Sequence, residues 1–388
     1  MTVQSGSPGR RALLTVNAGS STIKLATFSL HEPPACIQSG SLPATGNVEQ
    51  DALAAAVWAT DRLRGYAIHG IGHRVVLSAR RPVAELITPA LIATLRHACA
   101  DDSEHLPLQV ALMEALGASW PEAQGVACFD SAFHNSMPEV AQLLPLPTGL
   151  RAAGFERFGF HGLSCAWLME ELSRLGGPQV ADGRVLLAHL GNGASITAVR
   201  HGRSVDTSMG FSPAGGLVMA TRAGDLDPGA VAAICRANQL DAGALSRFVN
   251  HQAGLRAVSG TTGDLRELLE RSAHDPHAAL AVDLFCYQAR KWVGAFAAVL
   301  GGVETLVFAG GIGEHLPEIR ARICSGLEFL GVRVDPQRNA SNAPIISTED
   351  SRATVRVIAT DEQAMIARIT LRTMDPEGSG ASQDSGLQ

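Results

Sequence analysis

The chain has no block of basic residues, no Cys-x-x-Cys pair and no apolar run long enough to span a bilayer. Each absence excludes something. Net charge is -6 at pH 7, and without a basic patch neither nucleic acid nor an anionic membrane surface is an expected partner. Apolar runs such as Leu186-Leu187-Ala188 fall far short of the ~20 residues of a membrane helix. Residues 1–11 contain no apolar segment of the kind a signal peptide carries. The seven cysteines (36, 99, 128, 165, 235, 286 and 324) are scattered and odd in number. That argues against a metal knuckle or a disulfide framework and suits a reducing cytosol; they read as small buried hydrophobes. Neither a Walker A loop nor a dinucleotide fingerprint is present.

What is there suits a folded enzyme. A length of 388 residues suggests about two domains, and 46% apolar with 18% charged residues argues for buried cores. Residues 1–10 and 375–388 are polar and rich in Gly and Ser, and read as a loose leader and a disordered tail. Between them β-rich runs (Val126–Phe129, Val185–Ala188, Thr305–Ala309) alternate with segments of helical period (Pro89–Ala100, Leu106–Leu116, Ala279–Leu300, Glu362–Met374). Such alternation marks an α/β protein. A strand, a small-residue turn and a strand recur at Ala12–Leu30 and at Val185–Asp206. Two related halves explain this echo; coincidence between two hairpins explains it too.

Three turns carry the chemistry. Asn17-Ala18-Gly19-Ser20-Ser21-Thr22-Ile23-Lys24 follows the apolar run Ala12–Val16; its small residues admit an anion to backbone N–H groups, and hydroxyls, an amide and Lys24 line it. His189-Leu190-Gly191-Asn192-Gly193-Ala194-Ser195 follows a second buried-looking run, its glycines admitting close backbone approach and His189 and Asn192 adding donors. It serves an anion, or is a Gly-rich β-turn with Asn in a left-handed conformation. Gly310-Gly311-Ile312-Gly313-Glu314 joins a strand to the helical stretch Leu316–Leu327, a placement that favours nucleotides or merely tight packing. Three such turns without a dinucleotide fingerprint favour a phosphate-transfer cleft. Arg74 and Arg222 add guanidinium forks that grip carboxylate or phosphate, although a surface ion pair is the commoner fate of any one Arg. Asp130 ends a strand and Glu362 opens the last helix, places from which carboxylates hold Mg²⁺ or simply cap and complement a helix. A lone histidine such as His161 is more often structural than catalytic.

Taken together, Asn17–Lys24, Gly72–Val76, Phe129–Pro138, Arg157–Gly162, His189–Ile196, Asp206–Gly229, Ser259–Leu268, Phe308–Glu314 and Thr360–Arg368 resemble the acetate kinase family, carboxylate kinases of the sugar kinase/heat-shock ATPase/actin superfamily. The resemblance runs from about Leu13 to Arg372. It implies two ribonuclease-H-like (actin-like ATPase) domains facing a central cleft, residues 12–132 with 363–374 and residues 133–362. It implies a homodimer and reversible, Mg²⁺- or Mn²⁺-dependent in-line transfer of the ATP γ-phosphoryl to acetate. By the same resemblance Arg74, Asp130, His161 and Arg222 are catalytic, and Val76, Phe160 and Pro213 shape the pocket for the substrate methyl beside the two arginines. Lys24, His189, Gly191, Asn192, Gly193, Asp264, Arg266, Gly310, Gly311 and Gly313 bind the nucleotide, and Asn17 and Glu362 organise the metal.

The chain also departs from the family pattern. Leu77-Ser78-Ala79 stands for His-Gly-Gly, His315 for Asn, Thr22 for Ser and Gln363 for a second Glu, and Leu163 and Cys165 break the run after Phe-His-Gly. Propionate or a longer acid is therefore an alternative substrate, and a degenerate paralogue an alternative reading. A heat-shock-type ATPase would need a peptide-binding domain, for which no room is expected beyond Met374.

Overall fold

The computed structural model describes residues 10–19, 21–100 and 104–375. The expected leader and tail, apart from Arg10 and Asp375, and Ser20 of the first turn lie outside the described residues; Arg10 already belongs to the first strand. The described chain divides into two compact units. One takes the residues up to Ala132 together with those from Asp361 on; the other is Phe133–Thr360.

In the first unit β1 (Arg10–Ala18), β2 (Thr22–Phe28), β3 (Cys36–Pro43), β4 (Tyr66–Val75), β5 (Ala84–Leu86) and β6 (Gln124–Phe129) form one sheet in the order β3-β2-β1-β4-β6-β5. β1 to β3 are an antiparallel meander, while β4 and β6 run parallel to β1. Every residue of β1 from Ala12 to Ala18 is buried, as a central strand covered on both faces requires. Ile71 packs with residues of the helices Val48–Arg62 and Leu106–Ser119. Strand alternation turns Gly70 and Gly72 to the opposite face, against the last helix, Glu362–Met374. A Cβ on Gly72 would lie 2.1 Å from Thr370 Oγ1 and 2.7 Å from Ile366 Cγ2. Glycine there lets the last helix lie directly on the sheet. Asp361 caps that helix, accepting from Ala364 N at 2.9 Å, so Asp361 and Glu362 go with the first unit, a little earlier than the boundary expected from sequence.

In the second unit β7 (Val185–Leu190), β8 (Ala194–Arg200), β9 (Arg203–Thr207), β10 (Thr305–Ala309) and β11 (Thr354–Val357) are ordered β11-β10-β7-β8-β9. β7 to β9 form a meander, and β10 and β11 run parallel to β7. This is the topology of β1, β2, β3, β4 and β6 over again, so the echo between Ala12–Leu30 and Val185–Asp206 reflects a repeated architecture. The helix Gly162–Gly176 buries Cys165 and Leu168 against Leu187, Val199 and Val307. The helix Pro276–Leu300 packs over β8; it starts where Asp275 caps His277 N and Ala278 N, and Pro276 supplies a first-turn residue with no N–H to satisfy. Among the described residues no helix is long and apolar enough to cross a membrane.

Two expectations follow. Gly72→Ala should cost about 1–3 kcal/mol, the usual penalty of overpacking, and Thr370→Ala added to it should recover part of that loss; urea unfolding measures both. His73 is buried next to Arg74, and desolvation pushes its imidazole down from 6.5 to about 3. The unfolded chain therefore takes up this proton first, and the stability contributed by the neutral ring, full above pH 6.5, is lost as pH falls towards 3. His73→Phe should flatten the acid limb of the stability–pH curve in that window by about 1.4 kcal/mol per pH unit. Equal slopes for both proteins would refute this.

Candidate active site

In parallel α/β sheets ligands gather at the carboxyl ends of the strands, and both units place their chemistry there. In the first, Asn17 stands near the end of β1, Arg74 near the end of β4, and Asp130 directly after β6. Arg74 shares a face with Gly70 and Gly72, the face on which Glu362 opens the last helix. Its Nη2 donates to Asp130 Oδ2 at 3.0 Å, its Nη1 to Asn17 Oδ1 at 3.2 Å, and Glu362 Oε2 lies 3.8 Å from Nη1. Asn17 Nδ2 closes the ring by donating to Glu362 Oε2 at 2.6 Å. Burial opposes the guanidinium charge, but Asp130 and Glu362 outweigh it and raise its pKa above the ordinary value. Arg74 Nε is buried and has no hydrogen-bond partner among the described residues.

The oxygens of Asn17, Asp130 and Glu362 are hard donors of the kind Mg²⁺ takes. Mg²⁺ commonly rests on one or two carboxylates plus substrate phosphates and keeps several waters. Among the described residues no group of three or more His, Cys, Asp and Glu forms a metal cage. Two carboxylates and one amide oxygen are a donor set of the kind on which Mg²⁺ rests together with substrate phosphates.

In the second unit the hairpin between β7 and β8 carries Gly191, Asn192 and Gly193, closed by Gly191 N donating to Gly193 O at 2.9 Å. His161 precedes the helix Gly162–Gly176 in a left-handed conformation (φ 59°), uncommon for a residue with a side chain and a frequent mark of functional sites. Its Nδ1 pairs with Ser195 Oγ at 3.0 Å, and its ring stacks on His189 with centroids 4.2 Å apart. A Cβ built on Gly193 would lie 3.1 Å from His161 Nε2 and 3.5 Å from Arg222 Nη1. One point on the turn is thus flanked by both donors. Arg222 also reaches Pro213 O at 3.5 Å. The loop that carries Arg222 and Pro213 is steadied where Arg157 Nη1 donates to the carbonyls of Thr207 and Met209.

Beside this turn lies a cavity of about 670 Å³ lined by Gly191, Asn192, Asp264, Arg266 and Gly311, within the size range of small-molecule sites. Arg266 donates to Asp264 at 2.7 Å and holds its carboxyl below the usual range. Gly310 takes φ +74°, and any Cβ there would strike Leu190 O at 2.6 Å; only glycine allows that turn.

Several expectations need correction. Lys24 is not in a turn: it lies in β2, exposed, paired in register with Asn17, because β2 begins at Thr22. Gly310–Glu314 is no loop but a short helix, Gly310–His315. Of its glycines only Gly311 borders the cavity, while Gly313 packs against Phe308. The expected pocket residues Val76 and Phe160 are buried, Val76 in the first unit and Phe160, with Pro213, in the second, and are not among these corrections. Sequence reasoning missed Arg256 and Thr261 in the cavity wall and Ser164 beside His189; it held Ser195 within the second turn and Thr360 within the segment Thr360–Arg368 without giving either hydroxyl a role. The Ser259-Gly260-Thr261-Thr262-Gly263 run was a usable signal for the wall; Ser164 had none.

Residues 60–368 match the Acetokinase family. The chain is 39% identical over 395 residues to an acetate kinase of Rhodopseudomonas palustris, covering 94% of this chain and 98% of that one. The crystal structure of Porphyromonas gingivalis acetate kinase is similar with a TM-score of 0.82 at 30% identity, covering 94% of this chain and 100% of that one. A propionate kinase from Francisella tularensis is similar with a TM-score of 0.83, also at 30% identity, covering 93% and 99%. Sequence and structure agree, and the chain, whose two units carry the actin-like ATPase fold, belongs to the acetokinase family.

Proposed function

We propose that this protein transfers the γ-phosphoryl of ATP to acetate, reversibly and in line, giving acetyl phosphate and ADP. The observation that carries the reading is the point on the Gly193 turn flanked by His161 Nε2 and Arg222 Nη1, beside a cavity large enough for a nucleoside. Acetate is ionised at neutral pH, as side-chain carboxylates are (pKa about 4), so no general base is needed. The obstacle is repulsion between two anions and the charge spread over the oxygens of the moving phosphoryl. Fixed cations and donors answer it. Arg74, held by Asp130 and Glu362, grips the carboxylate, and the role of apolar contact to the methyl group is assigned, on the family resemblance, to Val76, Phe160 and Pro213. Arg222 and His161 Nε2 meet the phosphoryl oxygens. Asn192, Gly191 and His189 bind the nucleotide phosphates, and Asp264, Arg266 and Gly311 border ribose and base. Asn17 and Glu362, with Asp130 beside them, would hold Mg²⁺, which would supply charge neutralisation on the phosphates.

Propionate is the second reading, favoured by the likeness to a propionate kinase; one methylene changes affinity by only about 1–3 kcal/mol. A cytosolic setting suits seven cysteines that form no disulfide among the described residues. A homodimer is supported by the helices Pro228–Asn238 and Ala242–His251, neither of which buries a residue despite Ile234 and Phe248.

An ATP-dependent hydroxamate assay across formate, acetate, propionate and butyrate tests the reading, with acetate expected to have the highest kcat/KM. Activity with none of the four would favour a degenerate paralogue. Arg222→Ala should lower kcat by about 10²–10³-fold, the effect of losing one preorganised donor, while KM for ATP changes little. Equal fractional losses in both would remove Arg222 from the phosphoryl site.

A further inference from the structure

Ser164 is fully buried in the first turn of the helix Gly162–Gly176. Its Oγ lies 2.8 Å from His189 Nδ1 and 2.7 Å from Thr360 Oγ1. Thr360 is itself anchored: its N–H donates to Glu314 Oε1 at 3.1 Å, which also accepts from Gly310 N at 2.9 Å. Side chains thus tie together the end of β7, the end of β10, the segment after β11 and this helix. On its other side His189 stacks on His161, and its Nε2 lies 3.8 Å from where a Cβ on Gly191 would stand.

A hydroxyl carries one proton and accepts with its lone pairs. The row Thr360–Ser164–His189 can therefore run in two directions. If Thr360 donates to Ser164 and Ser164 to Nδ1, the ring proton of a neutral His189 sits on Nε2. If Nδ1–H donates outward, Nε2 carries no proton and can only accept. Two imidazolium charges stacked face to face repel, so the pair disfavours double protonation, and a neutral His189 must take one of its two tautomers. An acceptor at Nε2 would repel an anion on the Gly191–Gly193 turn, whereas Nε2–H would bind one.

We propose that Ser164 is a positioning residue: with Thr360 it forms a hydroxyl relay that holds His189 as the Nε2–H tautomer, presenting that proton to nucleotide phosphates. The proposal rests on assigning the Gly191–Gly193 turn to phosphate, and its test has one arm that needs no catalysis.

Ring ¹⁵N resonances of His189 in the free enzyme should report Nε2–H in the native protein. Ser164→Ala and Thr360→Val should both shift the balance towards Nδ1–H, and Ser164→Thr, which keeps the hydroxyl, should hold the native tautomer. In kinetics Ser164→Ala should lower kcat/KM for ATP by about tenfold, the worth of one hydrogen bond to a charged group, and leave KM for the carboxylate unchanged. Thr360→Val at its half-buried position should move both readouts in the same direction. An Nδ1–H native tautomer overturns the proposal. So does an unchanged tautomer in both Ser164→Ala and Thr360→Val, or losses shared equally between the two substrates with a lowered melting temperature, which would make Ser164 merely structural. If the native chain phosphorylates no acid at all, the functional reading falls, and the resonances alone decide for or against the relay.

Discussion

A guanidinium taken out of water must find anions, and in the first unit that requirement organises everything around it. Arg74 sits on the one strand whose neighbours, β1 and β6, both end beside it, so that Asn17 and Asp130 come within hydrogen-bonding range. The third partner, Glu362, comes from the far end of the chain, and it can do so only because Gly70 and Gly72 leave no side chain between the sheet and the last helix. Sheet order, helix seating and charge balance are one constraint seen three ways. Breaking a buried pair of this kind commonly costs about 3–5 kcal/mol because it strands a charge. The same enclosure keeps the cation fixed before any substrate arrives, which is what electrostatic catalysis asks of a donor.

The second unit repeats the topology but fills the strand ends differently. Where the first unit relies on ionised groups, the second uses imidazoles, hydroxyls and backbone, with Arg222 as the charged member. The division suits two ligands of different demand. A small carboxylate offers a single charge that a guanidinium matches in shape, whereas a polyphosphate spreads charge over many oxygens and is best met by many modest donors.

Much of this was legible in the residues. The last helix begins and ends where its periodicity said, at Glu362 and Met374, and the strand at Thr305–Ala309 was marked by its β-branched and apolar run. Asn17, Arg74, Asp130 and Glu362 are scattered along the chain, yet each lies at a strand end or helix start, a position readable from local pattern. What escaped was of two kinds. Gly310–His315 looked like a loop because glycine disfavours helices; Glu314 reverses that by accepting from Gly310 N and so capping its own helix, a tertiary effect stronger than propensity. Ser164 escaped, as did the hydrogen-bonding roles of Ser195 and Thr360, because an enclosed hydroxyl has no spacing rule. Its role is set by which atom lies 2.7–3.0 Å away, and that is decided by packing.

Arginine shows why position alone is weak evidence and donor accounting strong evidence. Arg320 is more deeply buried than Arg74 and would attract attention on burial alone. Yet each of its N–H groups is used. Nε donates to Asn339 Oδ1, Nη1 to the carbonyls of Gly313 and Glu314, and Nη2 to Asn339 O and Asn342 Oδ1. Among these partners there is no carboxylate, and burial lowers its pKa below the ordinary value. Its charge is spent on the last carbonyls of the helix Gly310–His315, where a cation complements the helix dipole, and nothing is left over for a ligand. Arg74 differs on both counts: its partners raise rather than lower its affinity for the proton, and its Nε remains unclaimed within the described chain. An inward cation with a spare donor is a binding group; one with none is a strut. By that criterion Arg320 belongs to the scaffold that holds the helix Gly310–His315 beside the cavity, and Arg74 is the arginine equipped to take a ligand.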